Sequence, residues 1–245
     1  MNLTQSNMLY AVYIALALLP SIIWLLWYLR KDKHPEPKYM ILSVFIWGML
    51  MAFPAILIEN LSIGVLDYLS LPPLVYTSIL YFIVIALTEE LLKFLVVYFR
   101  VFKRTIQLDE PIDAMIYMII SALGFAAIEN IFLLTPLFDK DFASTLNIAF
   151  SRFLGATLLH VLASATIGYY LALSLRKPQK SFLLLIHGFI LAIILHGLYN
   201  IFIVRLEQNF AFIFPVALMI VSTATAISIF LKKLSKTKSI TQVEE

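Results

Sequence analysis

Cysteine is absent from the 245-residue chain, which removes disulfides, thiolate metal ligands and a cysteine nucleophile together. Charge is scarce: 13% of residues are Asp, Glu, Lys or Arg against 62% hydrophobic, and the mean hydropathy is +0.93. That balance excludes a soluble globular domain. The net charge of +3 sits on loop flanks and gives no reason to expect nucleic acid as a partner. No His-Glu-x-x-His zinc helix and no Gly-x-Ser-x-Gly elbow occurs. No aspartate lies deep in an apolar stretch, so an intramembrane aspartyl dyad is excluded. Internal repeats and low-complexity linkers are also lacking. One membrane-embedded domain, 1–231, is therefore expected, followed by a polar cytosolic tail, 232–245. The opening MNLTQSNMLY has no basic n-region, and no small-x-small cleavage site follows it, so the first apolar run is expected to remain as a span.

What the chain has in abundance is helix-length apolar sequence. Windows of about 20 residues predict seven spans, at 7–29, 39–58, 73–99, 112–134, 146–175, 181–204 and 209–231. The fold class is an all-α polytopic transmembrane helix bundle of about seven spans. Basic residues orient it, because they cluster in alternate loops: Arg30, Lys31, Lys33 and Lys38; Arg100, Lys103 and Arg104; Arg176, Lys177 and Lys180; Lys232, Lys233, Lys236 and Lys238. By the positive-inside rule these loops are cytosolic, with the N-terminus outside and the C-terminus inside. The opposite loops hold only Lys140 and Arg205. Pro-marked breaks separate the early spans, and Asp109-Glu110-Pro111 suits a helix start, with acids near the N-terminus and Pro in the first turn.

Against that apolar background a few polar residues stand out. An ionisable side chain at bilayer depth costs a few kcal/mol and usually faces a partner or a water-filled cavity. The third predicted span carries Glu89, Glu90 and Lys93, the fourth Glu129, the fifth His160 and the sixth His196. On a helix Lys93 reaches either carboxylate, at i+4 from Glu89 and i+3 from Glu90, so one acid is neutralised and the other is left over. Glu129 has no Lys or Arg within a turn and must find its partner on another helix. His160 and Ser164 share one helical face, as do His196 and Asn200. At about 1.5 Å per residue from the predicted cytosolic ends, Glu129, His160 and His196 lie about 22–25 Å deep and Glu89 about 15 Å deep. A common site in the middle to outer membrane is expected. His187 lies half a turn round its helix from His196 and His34 sits in a basic loop, and both are read as outside the site. Arg152 is read as an interfacial anchor that snorkels to the outer surface.

Two mechanisms suit this set. In one, Glu89 or Glu90 removes a proton from water that attacks a peptide carbonyl, while His196 and Asn200 donate hydrogen bonds to the oxyanion. In the other, Glu129, His160 and His196 hold one divalent metal, such as zinc, and a glutamate serves as the base. Serine catalysis is poorly supported, because Ser164 has no activating arrangement beyond His160 on its own face. Buried Glu and His also serve as relays in proton- or cation-coupled transporters, or as packing glue in a non-catalytic scaffold. Neither inverted repeats nor interrupted helices of the transporter kind are visible.

TEELLKF at 88–94, EPIDAMIYMIISALGFAAIENIF at 110–132, RFLGATLLHVLASATIGYY at 152–170 and LHGLYN at 195–200 resemble, in order, the motifs of the PrsW family of intramembrane proteases. The resemblance covers about half the chain. It implies an intramembrane endopeptidase, usually classed as a metalloprotease, that cuts a membrane-anchored protein in a bacterial cytoplasmic membrane; its best-studied members make the first cut in an anti-sigma factor. A more distant similarity extends to the CAAX prenyl endopeptidase and bacteriocin-immunity group. Carried over by position, the paired glutamates are Glu89 and Glu90, the Phe-x-x-x-Glu motif is Phe125 and Glu129, and the motif histidines are His160 and His196. Lys93, Phe125 and Ser164 are read as support. The chain departs from the family at Asp113-Ala114 and Met118, where Asp-Gly and a later Gly are frequent. It departs again at Asn200, where Asp is common, and that change favours a neutral oxyanion donor there.

Overall fold

A computed structural model describes residues 3–30, 36–102, 110–137, 142–208 and 213–234. His34, Asp109, Lys140, the other loop cations at Lys31, Lys33, Lys103 and Arg104, and the tail beyond Leu234 lie outside the described residues. Among the described residues every regular element is helical: α1 (Leu3–Leu29), α2 (Lys38–Tyr68), α3 (Pro73–Ser78), a π-helical segment (Ile79–Leu87), α4 (Thr88–Arg100), α5 (Pro111–Leu134), α6 (Phe142–Leu154), α7 (Ala156–Arg176), α8 (Ser181–Gln208) and α9 (Ile213–Leu234). Five stretches are long and apolar enough to cross a membrane, namely Tyr10–Leu29, Lys38–Tyr68, Pro111–Leu134, Thr145–Arg176 and Ser181–Arg205. Helices satisfy every backbone group within the segment, which lipid cannot do, so this architecture follows from the composition.

Three expected boundaries shift, each for a local reason. The second predicted span stopped at 58 because Glu59 and Asn60 interrupt the apolar window. The helix runs on to Tyr68 and Asn60 returns its amide to the Ile56 carbonyl at 2.8 Å, so neither residue breaks it. The fifth predicted span is broken at Gly155, whose backbone (φ −103°, ψ −93°) leaves the helical region and separates α6 from α7. The third predicted span is continuous from Pro73 to Arg100 but is wound as a π-helix over Ile79–Leu87. Such segments are uncommon and concentrate beside functional sites; this one ends two residues before Glu89.

The predicted start of the fourth span holds. Pro111 occupies the first turn of α5, the Glu110 side chain accepts from the Asp113 backbone, and the Asp113 carboxylate accepts the Glu110 N–H at 2.7 Å. This reciprocal cap satisfies donors that the helix itself leaves unpaired. From there to Ala127 α5 is apolar but for Ser121 and buried on all sides, the pattern of a helix wrapped by others. It and α7 form the buried centre, while α1, α2 and α8 turn much of their surface outward. The outward apolar side chains, among them Leu57, Leu61, Leu74, Phe182 and Leu183, give these helices a surface suited to lipid, and the protein is an integral membrane protein.

Packing between helices uses small residues and aromatic rings. Gly124 of α5 lies against the Phe45 backbone carbonyl of α2, and Gly168 of α7 lies against Met115 and Ala114 of α5. Trp24 of α1 stacks on Phe153 of α6 (5.5 Å between centroids) and donates its indole N–H to the Phe153 carbonyl at 3.1 Å. Tyr169 of α7 stacks on Phe230 of α9 at 3.9 Å. Without a solvent-driven hydrophobic force between helices in lipid, such close backbone approach and interhelical bonding hold a bundle together. A methyl group added at Gly124 would strike backbone rather than a movable side chain. Gly124→Ala is therefore expected to lower the thermal midpoint in detergent, by an overpacking cost of about 1–3 kcal/mol. Gly64→Ala, where an added methyl meets nothing within 4 Å, should leave the midpoint unchanged or slightly raised.

Candidate active site

Four helices bring their polar residues to one place, and Lys93 is its centre. Its ammonium group is fully buried and lies 3.0 Å from Glu89 Oε2, 2.9 Å from Glu90 Oε1 and 2.8 Å from His160 Nδ1. Its fourth neighbour is the Phe125 ring, 4.4 Å from Nζ to the centroid, a cation–π contact. A lysine has three N–H donors and no acceptor, so the two carboxylates and the imidazole use all three. His160 Nδ1 is then an acceptor, and its ring proton is on Nε2, which donates to Glu129 Oε2 at 2.6 Å. The orientation and tautomer of His160 are set from both sides.

Glu90 and Glu89 differ sharply despite being adjacent. Glu90 has no exposed surface. One of its oxygens accepts from Lys93 and faces His196 Nδ1 at 3.1 Å; the other accepts the Ser164 hydroxyl at 2.6 Å. A carboxylate only accepts, so His196 presents its N–H at Nδ1 and keeps a lone pair on Nε2. That lone pair lies 3.8 Å from Glu89 Oε2. Glu89, unlike Glu90, lines a cavity of about 480 Å³ together with Glu129, His160, His196, Asn200, Arg152, Tyr199, Tyr81 and Glu59. The two imidazole rings stand nearly perpendicular with centroids 5.0 Å apart.

All nine residues read from the sequence as catalytic or supporting thus lie at or around one site: Glu89, Glu90, Lys93, Phe125, Glu129, His160, Ser164, His196 and Asn200. Glu129 was expected as a metal ligand beside the two histidines. The structure places it on the far nitrogen of His160, and among the described residues the three whose ligand atoms all lie within 4.8 Å of one another are Glu89, His160 and His196. Arg152 does not snorkel. It points inward to Glu129 Oε2 at 3.3 Å and donates to the Asn130 amide oxygen, while Asn130 donates onward to Thr157 at 3.2 Å. This is the partner that Glu129 lacked on its own helix. His187 lies outside the cavity, bonded to the carbonyl of Leu183 on its own helix.

Sequence reasoning missed Glu59, Tyr81, Asn130 and Tyr199. Glu59 fell beyond a window that ended at 58, and Asn130 was read only as part of a motif. For Glu59 a signal existed: an acid inside a run that resumes as Leu61-Ser62-Ile63 is as anomalous as the others.

The fold and the site together define a polytopic membrane hydrolase with a glutamate–histidine centre buried among its helices. Comparison with known proteins supplies the family. Residues 36–226 match the profile described as "PrsW family intramembrane metalloprotease", and the chain belongs to that family. It is 29% identical over 211 residues to the protein named Protease PrsW from Clostridioides difficile (strain 630), covering 84% of each chain. It is 30% identical over 181 residues to Protease PrsW from Geobacillus kaustophilus (strain HTA426), covering 74% of each. A third relative, Protease PrsW from Oceanobacillus iheyensis, is 30% identical over 194 residues, covering 79% of this chain and 83% of that one. No solved structure matches significantly. The protein is an intramembrane protease, a hydrolase acting on peptide bonds.

Removing one partner from a buried ion pair leaves an uncompensated charge and costs about 3–5 kcal/mol. Lys93→Met is accordingly expected to lower accumulation in membranes and thermal stability in detergent by an amount in that range. The double change Lys93→Met with Glu90→Gln should recover part of the loss; equal losses in the single and double variants would contradict the pairing.

Proposed function

We propose that the protein cuts a membrane-anchored protein by water that Glu89 activates within the cavity, Glu90 acting as a positioning residue. The observation that carries this reading is the difference between the two acids. Glu90 has its oxygens engaged by Lys93, His196 and Ser164 and lies behind the site, whereas Glu89 opens onto the cavity. Glu89 Oε2 and His196 Nε2, both acceptors and 3.8 Å apart, hold a water by its hydrogens and leave its oxygen lone pairs free. As that oxygen bonds to the scissile carbonyl carbon, Glu89 takes the proton. It then returns the proton to the leaving nitrogen as the carbon–nitrogen bond breaks. Asn200, one turn beyond His196 on the cavity wall, donates its amide to the carbonyl oxygen as negative charge develops there. His196, which the sequence suggested as a second donor, has given its N–H to Glu90, and this role rests on Asn200.

Two imidazoles and a carboxylate form a donor set of the kind zinc takes in hydrolases, and Lys93 shows that Glu89 Oε2 and His160 Nδ1 already converge on a positive charge. The residues present would fit a divalent metal, held by Glu89, His160 and His196, with the Lys93 ammonium displaced from the Glu89 and His160 atoms it now occupies. Such an ion supplies Lewis-acid polarisation of the carbonyl and lowers the pKa of bound water. Glu129 and Glu90 then act as the carboxylates behind the two histidines, the arrangement that orients ligating imidazoles. The same residues serve the metal-free route.

We infer that the composite helix 73–100 and α9 cross beside the five long stretches, making seven spans; with the basic loops cytosolic, the N-terminus is outside and the C-terminus is in the cytosol of a bacterial cytoplasmic membrane. An anti-sigma factor is the substrate suggested by the resemblance. No observation favours the transporter or scaffold readings.

Glu89→Gln and His196→Ala should each abolish cleavage of a reconstituted anti-sigma factor while the protein still inserts and folds. Glu90→Gln should also lose activity but with a measurable loss of stability. Chelator sensitivity, with about one metal ion per chain lost in His160→Ala and His196→Ala, would mark the metal route; full activity in Glu89→Gln would overturn the assignment. Orientation is testable because the chain has no native cysteine. Ser70→Cys should react with an impermeant maleimide in intact cells and Gln179→Cys only after permeabilisation, and the reverse pattern would invert the topology.

A further inference from the structure

Glu59 plays no part in the mechanism above, yet it lies on the wall of the same cavity. It comes from α2, which packs on α4 and α5, and is within electrostatic range of Glu89, Glu129 and Lys93. The other three carboxylates of the site each have a cation: Lys93 serves Glu89 and Glu90, and Arg152 serves Glu129. Among the described residues no ion pair reaches Glu59, and its Oε1 is buried without a hydrogen-bond partner. A buried acceptor left unsatisfied is costly, and native proteins rarely retain one without a reason. Glu59 also stands outside the Glu89, His160 and His196 group that offers metal ligands. One of its oxygens thus lacks a donor, and the residue lines the cavity where a substrate chain would lie.

We propose that Glu59 is a specificity-determining residue that accepts a lysine or arginine side chain of the substrate close to the scissile bond. The proposal rests on the proteolytic reading of the site. A long basic side chain lets the peptide carbonyl stay near Glu89 and Asn200 while its charged end reaches Glu59 on the cavity wall. Because the site sits among apolar side chains such as Ile85, Leu133 and Ile203, a like charge there is disfavoured as strongly as an opposite one is favoured.

The test uses the full chain reconstituted in liposomes with single-span model substrates. These are identical except for Lys, Gln or Glu scanned through the residues flanking the cut. The wild type should prefer Lys over Glu at one position by about tenfold in kcat/KM. Glu59→Gln should bring that ratio to within about twofold, and Glu59→Lys should reverse it in favour of Glu. The proposal is overturned if Glu59→Lys keeps the wild-type preference, if the wild type is indifferent to charge, or if both variants cleave nothing that the wild type cleaves. Failure of the wild type to cut any substrate would instead remove the proteolytic reading, and this inference with it.

Discussion

One fully buried ammonium group organises the molecule. Lys93 is held by two carboxylates of its own helix and by an imidazole of α7, so its burial ties α4 to α7 at the centre of the bundle. In lipid such a charge has no alternative partner, and the geometry of the groups around it becomes obligatory. From it bonds run outward in two directions. One passes through His160 to Glu129 and Arg152, the other through Glu90 to His196 and Ser164. Four long helices and α6 are thereby cross-linked by side chains that the composition otherwise avoids.

That network also explains how neighbouring residues of the same type acquire different roles. Glu89 and Glu90 differ in position by one residue, hence by about 100° round the helix. One faces the cavity and the other the protein. The two histidines differ likewise: His160 is held at both nitrogens, whereas His196 is held at Nδ1 and turns Nε2 toward Glu89. The three glutamates paired with Lys93 and Arg152 outnumber those two cations by one. The excess is negative, which suits a cation, whether a bound metal or a substrate side chain.

The position of the π-helical segment is consistent with this arrangement. It ends just before Glu89 and packs on α8, where Gly197 lies against the Phe82 ring. A helix wound more loosely at that point changes the phase of everything that follows, and so sets which of the paired glutamates meets the cavity.

Membrane insertion, the all-helical class and the participating residues were legible in the chain itself. Hydropathy and helix geometry are local properties, and a charge amid apolar residues is conspicuous wherever its partner lies. Glu89, Glu90, Lys93, Glu129, His160 and His196 could be named on that ground alone. The partnerships could not, because they join helices far apart in sequence. The inward turn of Arg152, the exchange of Glu129 for Glu89 beside the histidines, and the arrival of Glu59 on the cavity wall each depend on helix rotation and crossing. Those are settled by how the side chains of α5 and α7 pack against their neighbours, a many-body constraint that no window of sequence contains.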